Sequence, residues 1–206
     1  MHQKEIVLAG KKLKDAKRAL ILLHGRGASA EDILQLTNYL NVEDYAILAP
    51  QATNHTWYPY SFLVPENQNE PALSSALDLL NEIVKDINAA GIPNSEIFFA
   101  GFSQGACLTL EFVSRNAQRW GGAVAFSGGL IGDNVNPAKY KGDFNNTPIF
   151  IGTSNPDPHI PVSRVQESTA LLKSMNASVA EKIYQNMGHT ISEDEIDKAN
   201  QMIFNS

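Results

Sequence analysis

A chain of 206 residues has room for one domain with a substantial buried core, and 43% hydrophobic against 18% charged residues excludes a disordered polymer. A formal net charge of −6 argues against nucleic acid or an anionic membrane surface as the main partner. The lone Cys107 excludes an internal disulfide, residues 1–5 are too short and polar a lead for a signal peptide, and no apolar run reaches membrane-spanning length; the expectation is a cytoplasmic protein that does not insert into membranes.

Along the chain, Ile6–Leu8 is a short strand-like piece and Ala19–Leu23 the first buried strand. Ala30–Leu40 reads as a helix, with Ser29 as its N-cap and Asp32 in its first turn. Tyr45–Ala49 is a second buried strand, stopped by Pro50, and residues 51–70 form an irregular stretch rich in aromatics and prolines. A long helix over Pro71–Ala90 lines up Leu73, Ala76, Leu77, Leu80, Ile83, Val84 and Ile87 on one face, and Gly91 closes it. Residues 95–100 read as another buried strand and Ala106–Val113 as the helix after it. Gly122–Phe126 and Pro148–Gly152 are strands, Val162–Met175 a helix and Val179–Tyr184 a strand. Ser192–Phe204 closes the chain as a helix that opens with a Ser192/Glu195 capping box. Strands apolar along their whole length and separated by helices imply a mostly parallel sheet covered on both faces, hence one three-layer α/β domain over residues 1–206.

The chemistry concentrates at Gly101-Phe102-Ser103-Gln104-Gly105, where a buried strand meets a helix at Gly-x-Ser-x-Gly. A serine held in such a tight strand-to-helix turn is a nucleophile elbow, and glycines two residues to either side relieve the crowding that the turn creates. A glycine-flanked turn without chemistry is the alternative. A serine hydroxyl is a poor nucleophile until a general base takes its proton. His2 is terminal, His55 lies in the irregular stretch, His24 follows the first buried strand, and His159 and His189 remain. Loops after parallel strands gather at the carboxyl edge of the sheet, and His189 sits in such a loop beside Gly188, so it is the expected base. Asp157, between Pro156 and Pro158 after the strand Pro148–Gly152, is the expected carboxylate; Asp133 and Asp143 are its rivals. The amide of Gln104 and that of Arg26, in the glycine turn His24-Gly25-Arg26-Gly27, are the expected oxyanion donors. His24 itself reads as a residue that holds that turn, and Cys107 as core.

Leu23-His24-Gly25-Arg26-Gly27, Gly-Phe-Ser-Gln-Gly over 101–105, Asp157 before His159-Ile160-Pro161, and Gly188-His189-Thr190-Ile191 together resemble the phospholipase/carboxylesterase family, which groups bacterial carboxylesterases with acyl-protein thioesterases. The resemblance implies an α/β-hydrolase fold without a large cap domain, acting on esters or thioesters through Ser103, His189 and Asp157 with no cofactor and no metal. Arg26 stands where acyl-protein thioesterases usually carry leucine, and the loop Ser154-Asn155-Pro156-Asp157-Pro158-His159 is longer than their pattern. Both departures point away from long lipid acyl chains.

For the substrate wall, the aromatic stretch Trp57–Leu63 supplies Trp57, Tyr58 and Phe62, with Trp57 the first choice for contact and a plug for the core edge as the alternative. Leu130, in Gly128-Gly129-Leu130-Ile131, is expected opposite. Arg26 is expected to face solvent, selection of anionic substrates being its other reading. The expected activity is hydrolysis of carboxylic esters of small to medium acyl chain through an acyl-enzyme. The alternatives are an acyl thioesterase or lysophospholipase on the same residues, and a non-catalytic relative that binds a ligand or protein. The partner is a small-molecule ester; the oligomeric state, a homodimer included, stays open.

Overall fold

Branched and aromatic residues with no polar interruption leave no face for water, so their strands pair side by side under two layers of cover. A computed structural model, which describes residues 1–204, has this arrangement. β2 (Arg18–Leu23), β3 (Tyr45–Pro50), β4 (Ile97–Phe102), β5 (Gly122–Phe126) and β6 (Pro148–Asn155) are almost wholly buried. β1 (Ile6–Gly10) and β7 (Ser178–Gln185), partly exposed, form the edges of a sheet ordered β1-β3-β2-β4-β5-β6-β7. Only β1 runs antiparallel to its neighbour; the other pairs are parallel.

The pleat sends alternate side chains to opposite layers. Ala19, Ile21 and Leu23 of β2 join the core under α2 (Ala72–Ala89), α3 (Gln104–Arg115) and α4 (Val162–Ser174). Leu20 and Leu22 join the smaller core under α1 (Ala30–Leu34) and the C-terminal segment that includes α5 (Glu193–Ala199). Helix α2 buries Leu73, Ala76, Leu77, Leu80, Ile83, Val84 and Ile87. Each buried leucine or isoleucine there contributes roughly 1.5–3 kcal/mol. The connections at 51–71 and 127–147 carry only short 3₁₀ turns, so no cap domain covers the sheet edge.

Two helices differ from the sequence reading. The helix expected over Ala30–Leu40 stays α only to Leu34 and tightens into a 3₁₀ turn over Gln35–Asn38, where the Thr37 hydroxyl donates to the Leu34 carbonyl at 2.8 Å and competes with the helical ladder. The closing helix has the expected Ser192/Glu195 capping box, but from Asn200 to Phe204 it widens into a π turn. Asn200 is pinned there by the Tyr39 carbonyl and the Asn41 amide, and Phe204 reaches the rings of Phe98 and Tyr45.

The strand order fixes where chemistry can occur. From β2 the chain first goes to one side, to β3, then crosses to β4 on the other. The carboxyl ends of β2 and β4 therefore flank the point where the order reverses, and a crevice opens there. Strand β6 continues to Asn155, three residues beyond the expected Gly152, and carries Asp157 toward the same edge.

Candidate active site

Ser103 joins β4 to α3 with φ 55° and ψ −117°, a backbone state that costs a non-glycine residue roughly 1–3 kcal/mol and persists only where the surroundings impose it. The surroundings here are backbone atoms. A Cβ on Gly101 would overlap the Gly105 carbonyl, and one on Gly105 would overlap the Leu23 carbonyl and lie 2.6 Å from that of His24. Both glycines are thus fixed by close backbone approach. The Ser103 amide donates to the Phe126 carbonyl at 2.9 Å, tying the turn to β5.

The loops after β6 and β7 meet at this serine. His189 Nε2 lies 2.9 Å from Ser103 Oγ, and His189 Nδ1 lies 2.8 Å from Asp157 Oδ2. A carboxylate can only accept, so Nδ1–H donates to Asp157 and Nε2 is left bare toward the serine hydroxyl. Gly188, at φ 81°, makes the turn that points His189 inward, and its amide donates to Ser154 Oγ at 2.9 Å. The second Asp157 oxygen accepts the amides of His159 (2.8 Å) and Ile160 (3.0 Å). Burial opposes ionisation of Asp157, but the hydrogen bond from His189 and the two amides outweigh it and hold the carboxyl below its usual range. The imidazole packs between the Phe102 and His159 rings, at 5.0 and 4.9 Å between centroids. The rival Asp143 spends its carboxylate on the Asn145 amide and the Asn176 side chain.

A cleft of about 480 Å³ opens over Ser103 and His189, and Arg26 and Gln104 line it. The turn that carries Arg26 is held by His24. Its buried ring contacts the Gly25 carbonyl through Nδ1 (2.7 Å) and accepts the Ala52 amide at Nε2 (3.1 Å), so Nδ1 is the protonated nitrogen. Burial lowers the pKa of His24 and keeps the ring neutral in that role.

The side chains of Arg26 and Gln104 do something that no sequence pattern announces. Gln104 is buried; it accepts the Trp57 amide at 2.9 Å and donates to the Tyr58 carbonyl at 2.8 Å. The Arg26 guanidinium, exposed to solvent as expected, also donates to the next two carbonyls, those of Pro59 (2.8 Å) and Tyr60 (2.6 Å). Three consecutive loop carbonyls are therefore gripped by the two residues whose amides are the expected oxyanion donors. The partners lie 33 to 47 residues away along the chain, beyond the reach of any local pattern.

The substrate wall needs correction at two of its four expected positions. Trp57 is fully buried and does not line the cleft: its indole N–H donates to the His24 carbonyl at 2.9 Å and its ring packs on His24. It plugs the core edge. Leu130 is also fully buried and off the cleft, because its loop is strapped down. The Leu130 amide donates to Ser168 Oγ at 2.9 Å, Arg164 donates to the Leu130 carbonyl at 3.0 Å, and the Ile131 amide donates to the buried Glu111 at 3.0 Å. Tyr58 and Phe62 do line the cleft, joined by Tyr60, Phe102, Ile160 and Cys107. Burial pushes the Cys107 thiol up to about 12, so it is a neutral wall group rather than a nucleophile. Among the described residues no cluster of three or more His, Cys, Asp or Glu side chains could hold a metal ion, and no helix is long and apolar enough to cross a membrane.

The family model described as Phospholipase/Carboxylesterase matches residues 2–205. Curated relatives include acyl-protein thioesterase 1 of Debaryomyces hansenii, 28% identical over 92% of this chain and 91% of its own. Acyl-protein thioesterase 1 of Saccharomyces cerevisiae is 27% identical over 90% and 91%. Among solved structures, a phospholipase/carboxylesterase from Dyadobacter fermentans DSM 18053 is 55% identical, covers 98% of this chain and 97% of its own, and superposes with a TM-score of 0.97.

Proposed function

This chain belongs to the phospholipase/carboxylesterase family of α/β-hydrolases and is a carboxylesterase-type hydrolase, and on that premise we propose that it cleaves esters of small to medium acyl chain through an acyl-enzyme on Ser103. The observation that carries the reading is the His189 imidazole, bonded to Ser103 Oγ on one side and to Asp157 on the other.

In the proposed cycle Ser103 Oγ attacks the ester carbonyl as His189 Nε2 takes its proton. Asp157 keeps the ring in the tautomer that can accept, and stabilises the imidazolium. The tetrahedral oxyanion is met by the amides of Arg26 and Gln104, the latter at the positive end of α3. Collapse breaks the ester C–O bond, and His189 returns the proton to the departing alkoxide, leaving an acyl-serine and a free alcohol. Water, deprotonated by the same imidazole, then releases the acid and restores the hydroxyl. Tyr58, Phe62 and the other aromatic wall residues would hold the carbon skeleton. Thioesters are the second reading, favoured by the relatives named acyl-protein thioesterases. They would use the same residues.

A fluorophosphonate probe tests the reading against a non-catalytic ligand binder. The expected result is one label per chain, mapped to Ser103 and suppressed by prior incubation with an ester substrate. An unlabelled, folded protein would reject it.

A further inference from the structure

We propose that the preferred esters carry a carboxylate away from the scissile bond and that the Arg26 guanidinium receives it; this rests on the ester hydrolase reading above. The chain holds 22 acidic residues against 16 basic, yet among the described residues no Asp or Glu lines the catalytic cleft, and Arg26 is its one Lys or Arg. The Asp157 side chain is buried behind His189, so the fixed charge that the wall itself presents is the Arg26 guanidinium.

Arg18, Arg115 and Arg164 each pair with a glutamate, and Arg119, like Arg26, bonds to two loop carbonyls; of these two, Arg26 is the one that lines the catalytic cleft, where it meets the carbonyls of Pro59 and Tyr60. A guanidinium has five N–H donors, and two are used here. The bonds to the loop therefore fix the direction of the group without neutralising its charge, and its plane is steadied 6.0 Å over the Tyr58 ring. A planar cation already held in place, exposed at a cleft wall, suits a carboxylate, because the rotamer entropy that binding would otherwise cost has been spent in folding. The rest of the wall, Tyr60, Phe62, Phe102 and Ile160, suits the carbon skeleton between the two ends. The carboxylate could lie on the acyl half or the alcohol half of the ester; Arg26 supplies the same chemistry to either.

Two matched substrate pairs test the inference. On the acyl side, 4-nitrophenyl hydrogen adipate is compared with its neutral methyl ester by nitrophenol release. On the alcohol side, 3-acetoxybenzoate is compared with its methyl ester by acetate release. The expected result is a kcat/KM roughly tenfold higher for the charged member of at least one pair, that pair identifying the half that carries the charge. Arg26→Gln should bring the ratio to about one, and Arg26→Lys, which keeps the charge and loses the planar fork, should fall between. The ratio is read on a single sample, so a reduced active fraction or a loosened loop lowers both members and leaves it unchanged. A wild-type ratio of one or less in both pairs overturns the inference, as does a ratio that survives Arg26→Gln. Turnover of the neutral members reports separately on the hydrolase reading.

Discussion

Replacing Ser103 by alanine should lower kcat for ester turnover by on the order of 10⁶-fold while leaving the protein folded. The size of the effect follows from what the hydroxyl does. It is the atom that becomes acylated, and the Nε2 lone pair of His189, 2.9 Å away, is placed to take its proton. The structural cost is small for equally local reasons. The serine side chain makes no helix-capping bond, and alanine fits the backbone that Gly101 and Gly105 make room for. Steady-state kinetics beside a thermal melt checks both halves. A melt within a few degrees of wild type together with a near-complete loss of kcat is the expected pair. Retained turnover in a pure sample would show that another group attacks the ester.

Asp157→Asn should cost roughly 10⁴-fold in kcat with little change in KM. Asp157 is held from both sides: one oxygen faces His189 Nδ1 at 2.8 Å, the other accepts the amides of His159 and Ile160. In the asparagine variant the amide oxygen keeps the two backbone donors, and the NH₂ group is turned toward Nδ1. Donor then faces donor, so the ring moves its proton to Nε2 and offers Ser103 an N–H instead of a lone pair. Geometry survives and the base is lost. The acid side of the wild-type profile follows from the same contacts. Asp157 is held below the usual carboxylate range, so its stabilising contribution is present above the ordinary carboxyl pKa of about 3.9 and is lost as pH falls through the lower folded value. Near neutral pH it stays ionised. A rate profile of wild type and variant, measured across weakly acid to neutral pH with a stability scan alongside, separates lost chemistry from lost folding.

The parts of this structure that were legible in the sequence are those with one dominant physical cause. The apolar runs at Leu20–Leu22, Ile47–Leu48, Phe98–Phe99 and Val124–Phe126 have nowhere to go but the middle of a parallel sheet, and they are there. Ser103, Asp157 and His189 could be named because each follows a strand, and parallel strands deliver such loops to one edge. The misplaced readings share a different character. An aromatic in a loop is equally compatible with a wall and a plug; only the hydrogen bond from Trp57 to the His24 carbonyl decides for the plug, and its partner lies 33 residues away. Leu130 was read from its strand end, but Ser168, Arg164 and Glu111, on two helices, pull it inward. The short α1 turns on a single threonine hydroxyl that bonds its own chain. The Gln104 and Arg26 grip on the loop over 57–60 is likewise a long-range pairing of polar groups, and such pairings leave no periodicity to read.

In the proposed mechanism an acyl group passes through Ser103 under the control of His189. Rapid quench of the enzyme with an activated ester, followed by peptide mass mapping, tests this most directly. The expected result is a burst of alcohol release stoichiometric with enzyme, an acyl adduct confined to the peptide that carries Ser103, and its decay at the steady-state rate. Turnover with an acyl group on another residue, or with none on Ser103 at any time point and no label from the fluorophosphonate probe, would contradict it.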